Sequence, residues 1–491
     1  MGGGAVRKLD WRGVLWNLAG AGILGMLAAG FCDIPAFLAA FTPRLEPTGS
    51  AFFIADQIRW AAGVAAAFLL LRATGLFKTR PIRNATRLLN RGTAGRWALG
   101  IFVIALALRL GYVAVAERPP ISDEQYYDGL AQALAAGEGY TAGGVPTAYW
   151  PVGYPAFIAV FYAVFGPHYL PVLLFQALLG AATAALLVLL GRGFASAAAA
   201  RAAGLIIALA PNQVAYAARL FPAVVSAFAV VAIAVVVLKT RGFRGAFCAG
   251  VMTGAAALVA PVMLVSAPAA WAADSFRRLG FFRVLGRGVV VAALALVVVA
   301  PWTYRNWRVF GEFVPVSTNG GVNLWIGNNP NATGAYYYPT SRINPIFMTE
   351  GELERDRLGR EFAGYFIENN RAQFLRLAIP KFAYTYGADI SAFQYEDIGR
   401  GVDSVVSARR FPARLAQSYY ALVWVGFILG LIKARRVLFR PDAEAKTPLA
   451  ALLAWPAALT VVYLIFFGGG RFHFPMLPFM AVVAALAIAD A

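Results

Sequence analysis

The chain has 491 residues, of which 60% are hydrophobic and 14% are charged. An ordinary soluble domain carries roughly 25% charged residues, so a water-soluble fold of this size is excluded. The apolar residues fall in runs of about 17–25, the length at which a helix crosses a bilayer. The net charge is +19. Because Lys and Arg cluster in short connections between apolar runs, this charge indicates membrane topology rather than nucleic-acid binding.

About twelve membrane spans can be placed along the chain. The spans are predicted at 13–32, 60–77, 97–116, 151–166, 169–190, 200–217, 221–238, 246–273, 285–302, 416–432, 448–467 and 474–490. Pro261 and Pro268 predict that the span at 246–273 is a broken hairpin. The sequence therefore predicts an all-α polytopic membrane protein.

Four parts are predicted along this chain. The parts are an N-terminal two-span extension at 1–96, a transmembrane core at 97–302, a cap at 303–415, and C-terminal transmembrane helices at 416–491. The two cysteines, Cys32 and Cys248, lie in or beside apolar spans and form no disulfide framework. We predict no role for the extension.

The orientation in the membrane follows from short loops rich in Lys and Arg, which stay on the cytoplasmic side. Such loops occur at 78–96, 239–244, 277–287 and 433–440. The segments 117–149, 303–415 and 468–473 then face outward. We therefore expect a multi-pass protein of the inner membrane, with a soluble loop region and any active site facing the periplasm.

The first outward loop contains a helix start. Ser122 followed by Gln125 is a capping-box pattern, which predicts a helix beginning at Asp123. Asp123, Tyr126 and Tyr127 would then share one helix face. Acidic residues in a first helical turn also complement the helix dipole without any further function, so that alternative stays open for Asp123 and Glu124.

Several motifs in this order resemble the GT-C glycosyltransferases of the family-39 type. That group includes the dolichyl-phosphate-mannose protein mannosyltransferases and the bacterial lipid A aminoarabinose and galacturonic acid transferases. The resemblance covers about 97–491. Its motifs are Asp123-Glu124-x-Tyr126-Tyr127, Gly137-Glu138-Gly139-Tyr140, Trp150-Pro151-x-Gly153-Tyr154-Pro155, Pro301-Trp302-x-x-Arg305-Asn306, Asn323-Leu324-x-x-Gly327-Asn328-Asn329-Pro330 and Arg471-Phe472-His473-Phe474-Pro475-x-x-Pro478.

The resemblance implies a GT-C membrane core and a sugar donor linked to polyprenyl phosphate. It also implies that Asp123, beside Glu124, is the catalytic base. The acceptor would be a lipid, a glycan or a protein, and the sequence does not identify it. No cofactor is expected.

Sugar transfer from a lipid phosphate needs a carboxylate to take the acceptor proton and cations to stabilise the departing phosphate. Asp123 can supply the first, and Arg305, Arg471 and Lys381 are candidates for the second. The arginines could equally be interfacial anchors. The predicted substrate pocket consists of Tyr126, Tyr127, Trp150, Tyr154, His473 and Asn323. His473 is also interpretable as a structural histidine.

One departure from the family concerns the outward turn at 216–223, where many relatives carry a second acid and this chain has none. Metal sites need several carboxylates or histidines, so we predict no essential metal. Three alternatives remain open. They are a polysaccharide ligase or polymerase, a lipid or solute transporter or flippase, and a non-catalytic membrane subunit.

Overall fold

The computed structural model describes residues 11–30, 32–42, 49–74, 84, 87–116, 118–190, 196–240, 242–266, 281–336, 349, 351–399, 407, 409–438 and 446–488. Several charges of the predicted cytoplasmic loops, and one predicted break, lie outside this described part. They are the topological charges Lys78, Arg80, Arg83, Arg241, Arg277, Arg278 and Arg440, and the predicted break at Pro268.

Helices dominate the described residues. They are α1 (Trp11–Ala28), α2 (Ile34–Ala39), α3 (Gly49–Ala73), α4 (Ala94–Ala116), α5 (Asp123–Ala135), α6 (Gly153–Phe165), α7 (Leu170–Leu190), α8 (Ala197–Leu209), α9 (Pro211–Ala215), α10 (Ala223–Lys239), α11 (Gly242–Val259), α12 (Phe281–Phe310), α13 (Gly320–Gly327), α14 (Glu352–Asn369), α15 (Arg371–Tyr386), α16 (Ser391–Gly399), α17 (Phe411–Leu438), α18 (Lys446–Ile465) and α19 (Leu477–Ile488). Strands β1 (Thr141–Ala142) and β2 (Val145–Pro146) form one antiparallel hairpin.

Six of these helices are long and apolar enough to cross a membrane, namely α3, α4, α7, α11, α12 and α17. The bent pair of α8 with 211–218 would be a seventh span, with 56° between its halves. Shorter apolar helices occur in α1, α6, α10, α18 and the 474–487 segment. The predicted all-α polytopic membrane fold is therefore confirmed, whereas the number of about twelve spans stays a prediction.

Helix α12 is longer than the span predicted at 285–302. Helix α12 continues through Pro301 to Phe310. Its extra turns are held by a chain segment that packs along them: the side chains of Trp302 and Asn306 donate to the carbonyls of Val316 (2.7 Å) and Val314 (3.1 Å). Tertiary hydrogen bonds thus extend the helix beyond the apolar run from which its length was predicted.

The bend after α8 is stabilised by a buried arginine. Pro211 has no backbone N–H and disfavours helical geometry in the residue before it, so α8 ends at Leu209. Arg109, only 1% exposed, donates from α4 to the carbonyls of Ile207 (3.2 Å) and Ala208 (3.3 Å). The guanidinium satisfies acceptors that lipid could not, and its charge complements the negative end of the helix dipole.

The N-terminal helices pack on the remainder of the chain. Asp56 of α3 forms an ion pair with Arg414 of α17 at 2.8 Å. Gln417 of α17 donates to the carbonyl of Gln57 (3.2 Å), and Trp60 donates to Ser418 Oγ (2.9 Å). The predicted extension is therefore joined to α17 by polar contacts.

We expect Gly254→Leu to destabilise the bundle by about 1–3 kcal/mol because the interface of α11 and α12 has no room for a side chain. A Cβ at Gly254 would lie 2.7 Å from the carbonyl oxygen of Ala295. The control is Gly100→Leu, since a Cβ at Gly100 would meet nothing within 4 Å. Thermal unfolding in detergent measures both; equal midpoints for the two variants would contradict this packing.

Candidate functional site

Helix α5 begins at Asp123 as predicted, but the predicted capping box is wrong. Ser122 has a φ of 51° and makes no side-chain capping bond. Glu124 holds the chain before the helix instead, because its Oε2 accepts from the Ile121 amide (3.0 Å) and from Arg118 Nη1 (2.7 Å). Glu124 is 2% exposed, so it points into the protein and fixes the first turn of α5.

The two segments at 117–149 and 468–473, both predicted to face outward, meet in an ion pair. Arg471 Nη1 lies 2.8 Å from Asp123 Oδ2, across 348 positions of sequence. The Asp123 side chain is 22% exposed and that of Arg471 is 31% exposed. Both groups are therefore held in place by the protein while remaining open to solvent or a ligand.

Arg471 is framed by aromatic groups. Its Nη1 also donates to the Tyr395 hydroxyl (3.0 Å), and its guanidinium carbon lies 5.3 Å from the ring centre of Phe221 and 5.8 Å from that of Phe472. Burial lowers the pKa of Arg471, but Tyr395, Asp123, Tyr127 and Tyr216 together raise it more, so the pKa lies above its ordinary value. This arginine stays charged at any physiological pH.

Only one nitrogen of Arg471 is engaged within the described part of the chain. Both hydrogen bonds, to Asp123 and to Tyr395, come from Nη1. A guanidinium carries five N–H donors in a planar fork. The Nη2 and Nε donors are therefore free of protein partners among the described residues, on a side chain that is partly exposed.

Two members of this site were not predicted. Tyr395 lies on α16 in the polar stretch, where no motif marks it. Phe221 belongs to the turn at 216–223, which the sequence singled out only for lacking an acid. That turn contributes an aromatic face below Arg471 instead of a carboxylate.

The predicted aromatic pocket residues divide into two environments. Tyr127 is buried, and its ring centre lies 5.2 Å from those of Trp150 and Tyr154. Tyr154 is also buried and donates to Gln176 Oε1 at 2.8 Å. Tyr126 is 59% exposed and lines an open cleft of about 530 Å³ between α5 and the hairpin. Tyr127, Trp150 and Tyr154 therefore form a wall behind α5, whereas Tyr126 lies on the exposed side of the helix.

Arg305 braces the hairpin. Its Nη1 donates to the carbonyl of Thr147 and its Nη2 to that of Tyr140, both at 2.9 Å. Its guanidinium carbon lies 4.9 Å from the ring centre of Trp302. Among the described residues, the contacts of Arg305 are with the hairpin, Asn306 and two aromatic rings, and no hydrogen bond or ion pair joins it to Asp123.

Lys381 lies in the protein interior on α15, 0% exposed. Its Nζ donates to Asn328 Oδ1 (2.8 Å) and to the carbonyl of Ile465 (3.1 Å). Burial lowers the pKa of Lys381 to about 7. Asn323, also predicted for the pocket, is half-buried on α13.

His473 is 0% exposed and follows Arg471 by two positions in the sequence. Its Nδ1 is 2.7 Å from the carbonyl oxygen of Thr385, and its Nε2 is 3.1 Å from Asp389 Oδ1. The structure therefore places His473 in a buried polar cluster and not on the open side of the site. Asp389 was not predicted. The described residues contain no group of three or more His, Cys, Asp or Glu that could hold a metal ion.

Comparisons with known proteins give similarity in structure only. No protein-family model matches the sequence, and no curated protein matches it significantly. One similar solved structure is the oligosaccharyltransferase AglB from Archaeoglobus fulgidus with an inhibitory peptide and dolichol phosphate, at 17% identity and a TM-score of 0.45. The match covers 80% of this chain and 50% of AglB, so this chain spans about half the length of that enzyme.

Another similar structure is ArnT from Cupriavidus metallidurans bound to undecaprenyl phosphate. It has 16% identity and a TM-score of 0.41, and the match covers 81% of this chain and 77% of ArnT. At these identities and TM-scores, neither a family nor a reaction is assigned to this chain.

The buried amine of Lys381 predicts a pH-dependent stability. Its pKa is about 7 in the folded protein against 10.5 for an ordinary lysine, so between these values the unfolded chain binds the extra proton. Stability then rises with pH across this window, by at most about 1.4 kcal/mol per pH unit. In Lys381→Met this rise should vanish. The measurement is the difference in unfolding midpoint between wild type and variant from pH 7 to pH 10; parallel profiles would contradict a buried, readily deprotonated amine.

Proposed function

We propose that this chain is a membrane glycosyltransferase that moves a sugar from a polyprenyl-phosphate carrier to an acceptor hydroxyl on the outer face of the inner membrane. The observation that carries the proposal is the partly open ion pair of Asp123 and Arg471 at 2.8 Å. It joins a potential proton acceptor to a permanent cation where α4 leaves the apolar layer. The periplasmic location rests on the distribution of Lys and Arg in the sequence.

Arg471 is suited to hold a phosphate without releasing Asp123. Because Nη1 serves both Asp123 and Tyr395, the outer edge of the guanidinium, formed by Nη2 and Nε, can donate two parallel hydrogen bonds to phosphate oxygens. The carboxylate and the phosphate would then occupy neighbouring sides of one planar cation. That arrangement places the leaving group and the base within reach of the same sugar.

The proposed reaction is a displacement at the anomeric carbon. An acceptor hydroxyl oxygen attacks this carbon while its proton passes to Asp123. The bond between the anomeric carbon and the phosphate oxygen breaks, and its electron pair leaves on polyprenyl phosphate. Arg471 stabilises the developing phosphate charge. The prenyl tail stays among the apolar helices, and the phosphate lies at headgroup depth.

Glu124 has a supporting part in this proposal. Its carboxylate is bound to Arg118 and the Ile121 amide, so it fixes the turn that presents Asp123. Arg305 and Lys381 remain candidate phosphate ligands from sequence. Their contacts to backbone carbonyls and to Asn328 favour roles in bracing the hairpin and the cap.

A ligase or polymerase of surface polysaccharide would use the same donor chemistry and differ only in its acceptor. Glycan analysis of lipid A, core and capsule in a deletion strain distinguishes these acceptors. A transporter would place its ionisable groups in a substrate path. Arg109 is one buried arginine within a predicted span and could belong to such a path. Its guanidinium, however, donates to the carbonyls at the end of α8.

We expect Asp123→Asn to lower transfer by about 10²–10⁴-fold, because the amide keeps the size of the side chain and loses its basicity. Glu124→Gln should cost less in turnover per folded molecule. The measurement is sugar transfer from a panel of radiolabelled undecaprenyl-phosphate sugars to membrane acceptors in proteoliposomes. Glu361→Gln, an exposed acid on α14, is the control. Wild-type turnover in Asp123→Asn would remove Asp123 from the mechanism.

For Arg471 the expected order of activity is wild type, then Arg471→Lys, then Arg471→Ala. Lysine keeps the charge and loses the planar fork, whereas alanine loses both. A charge-assisted hydrogen bond corresponds to roughly a ten- to a hundred-fold effect, which we expect for Arg471→Ala. Donor affinity and turnover are measured on purified, folded protein. If both are unchanged, Arg471 is an interface anchor and not a phosphate ligand.

A further inference from the structure

A group of fully buried polar side chains lies directly behind the turn that carries Arg471. Its members are Asn212, Asp389, Gln417 and His473, none of which is more than 3% exposed. Asn212 lies on α9 and Asp389 lies in the loop after α15. Gln417 lies on α17, and His473 is the last residue of the 468–473 turn. Buried polar groups are expensive unless they are fully hydrogen-bonded, so this cluster is a specified feature of the fold.

His473 is held at both ring nitrogens. Nδ1 faces the carbonyl oxygen of Thr385 at 2.7 Å, which can only accept, so Nδ1 carries a proton. Nε2 faces Asp389 Oδ1 at 3.1 Å, and a second proton must lie between these two atoms. The ring also stacks on Tyr420, with 4.8 Å between ring centres. The imidazole is therefore fixed in position, in tilt and in its contact with Asp389.

Asp389 is fixed in turn from two sides. Its Oδ1 accepts from Asn212 Nδ2, and its amide donates to Gln417 Oε1 at 3.0 Å. Gln417 Nε2 donates to the carbonyl of Gly387 (2.8 Å) and to that of Gln57 on α3 (3.2 Å). A continuous line of hydrogen bonds thus runs from the N-terminal helices through Gln417 and Asp389 to His473.

The line ends at the turn that presents Arg471. The Phe474 amide donates to the Arg471 carbonyl at 3.3 Å, and the Phe474 carbonyl accepts from Gln213 Nε2 at 3.1 Å. A Cβ at Gly470 would lie 3.1 Å from the carbonyl oxygen of Ala388, so the turn runs close to the loop that contains Asp389. Displacing His473 therefore shifts the backbone on which Arg471 stands.

We propose that the buried Asp389–His473 pair, tied through Gln417 to the N-terminal helices, is a positioning device that holds Arg471 against Asp123. Its importance for phosphate binding rests on the proposed function, but the positioning itself does not. His473, Asp389 and Gln417 act through Arg471 and touch no substrate. The N-terminal helices, to which the sequence assigned no role, thereby contribute to the geometry of the site.

The test uses two conservative replacements of His473. In His473→Gln the side-chain amide can donate from the position of Nε2 and keep the bond to Asp389. In His473→Asn the amide can donate from the position of Nδ1 and keep only the bond to Thr385. We measure backbone amide exchange across 468–476 and the affinity of full-length protein in nanodiscs for undecaprenyl phosphate alone.

If the link to Asp389 positions Arg471, His473→Asn speeds exchange in 468–476 and weakens undecaprenyl phosphate roughly tenfold, the effect of one hydrogen bond. His473→Gln stays within about threefold of wild type. Equal behaviour of the two variants, or wild-type exchange in His473→Asn, would overturn the proposal. The exchange result holds even if wild type binds no polyprenyl phosphate, in which case the proposed function fails and the positioning role is decided separately.

The connection to the N-terminal helices is tested with Gln417→Leu, which removes the bonds to Asp389, Gly387 and Gln57 together. Its matched control is Tyr419→Phe, which removes one bond of 2.7 Å from the same helix to the Ile206 carbonyl. We expect faster exchange at 468–476 in Gln417→Leu and wild-type exchange in Tyr419→Phe. If the control shows the same change at 468–476, general loosening of α17 explains the effect and the specific link is refuted.

Discussion

This architecture depends on one constraint. The last backbone carbonyls of an apolar helix have no hydrogen-bond partner within that helix. Within a bilayer no water satisfies them, so side chains must. Arg109 donates to the carbonyls at the end of α8. In the predicted cap, the carbonyls of Val316 and Gly387 are likewise satisfied by side chains, those of Trp302 and Gln417. Long polar side chains therefore collect at helix ends. Asp123 lies in such a polar frame next to an apolar layer, which is the setting that the proposed transfer of a lipid-linked sugar needs.

The exposure of each cationic side chain decides whether it can bind a ligand. Lys381 and Arg109 have virtually no exposed surface, and the hydrogen bonds that they make go to backbone or amide oxygens, although Arg109 Nε has no partner among the described residues. Arg471 keeps 31% of its side chain exposed and has a carboxylate beside it. A buried cation that is already satisfied would have to break its own contacts to bind phosphate, whereas Arg471 would only exchange water. Charge alone is therefore a poor guide to function in this chain, and accessibility separates binding from bracing.

The sequence predicts what depends on local composition. Apolar runs located the long apolar helices, and the Ser122–Gln125 pattern located the start of α5 although the capping bond that it implies does not form. It also marked Asp123 and Arg471 singly, although their contact spans 348 positions and no local pattern encodes it. Asp389 was missed because a buried acid inside a polar stretch looks like any solvated acid. The capping box failed because the backbone at Ser122 turns its side chain away, which only tertiary structure determines.

The adjacent acids at the start of α5 show how one helical step can separate two roles. Consecutive residues on a helix point about 100° apart, so neighbouring side chains enter different surroundings. Glu124 enters the interior, where one oxygen is occupied by Arg118 and the Ile121 amide. Asp123 enters the open side, where Oδ2 meets Arg471 and the side chain remains 22% exposed. A carboxylate committed to holding the turn cannot also exchange protons with a substrate, and an exposed one cannot anchor a helix firmly. With two acids in succession, the buried one fixes the direction in which the exposed one faces.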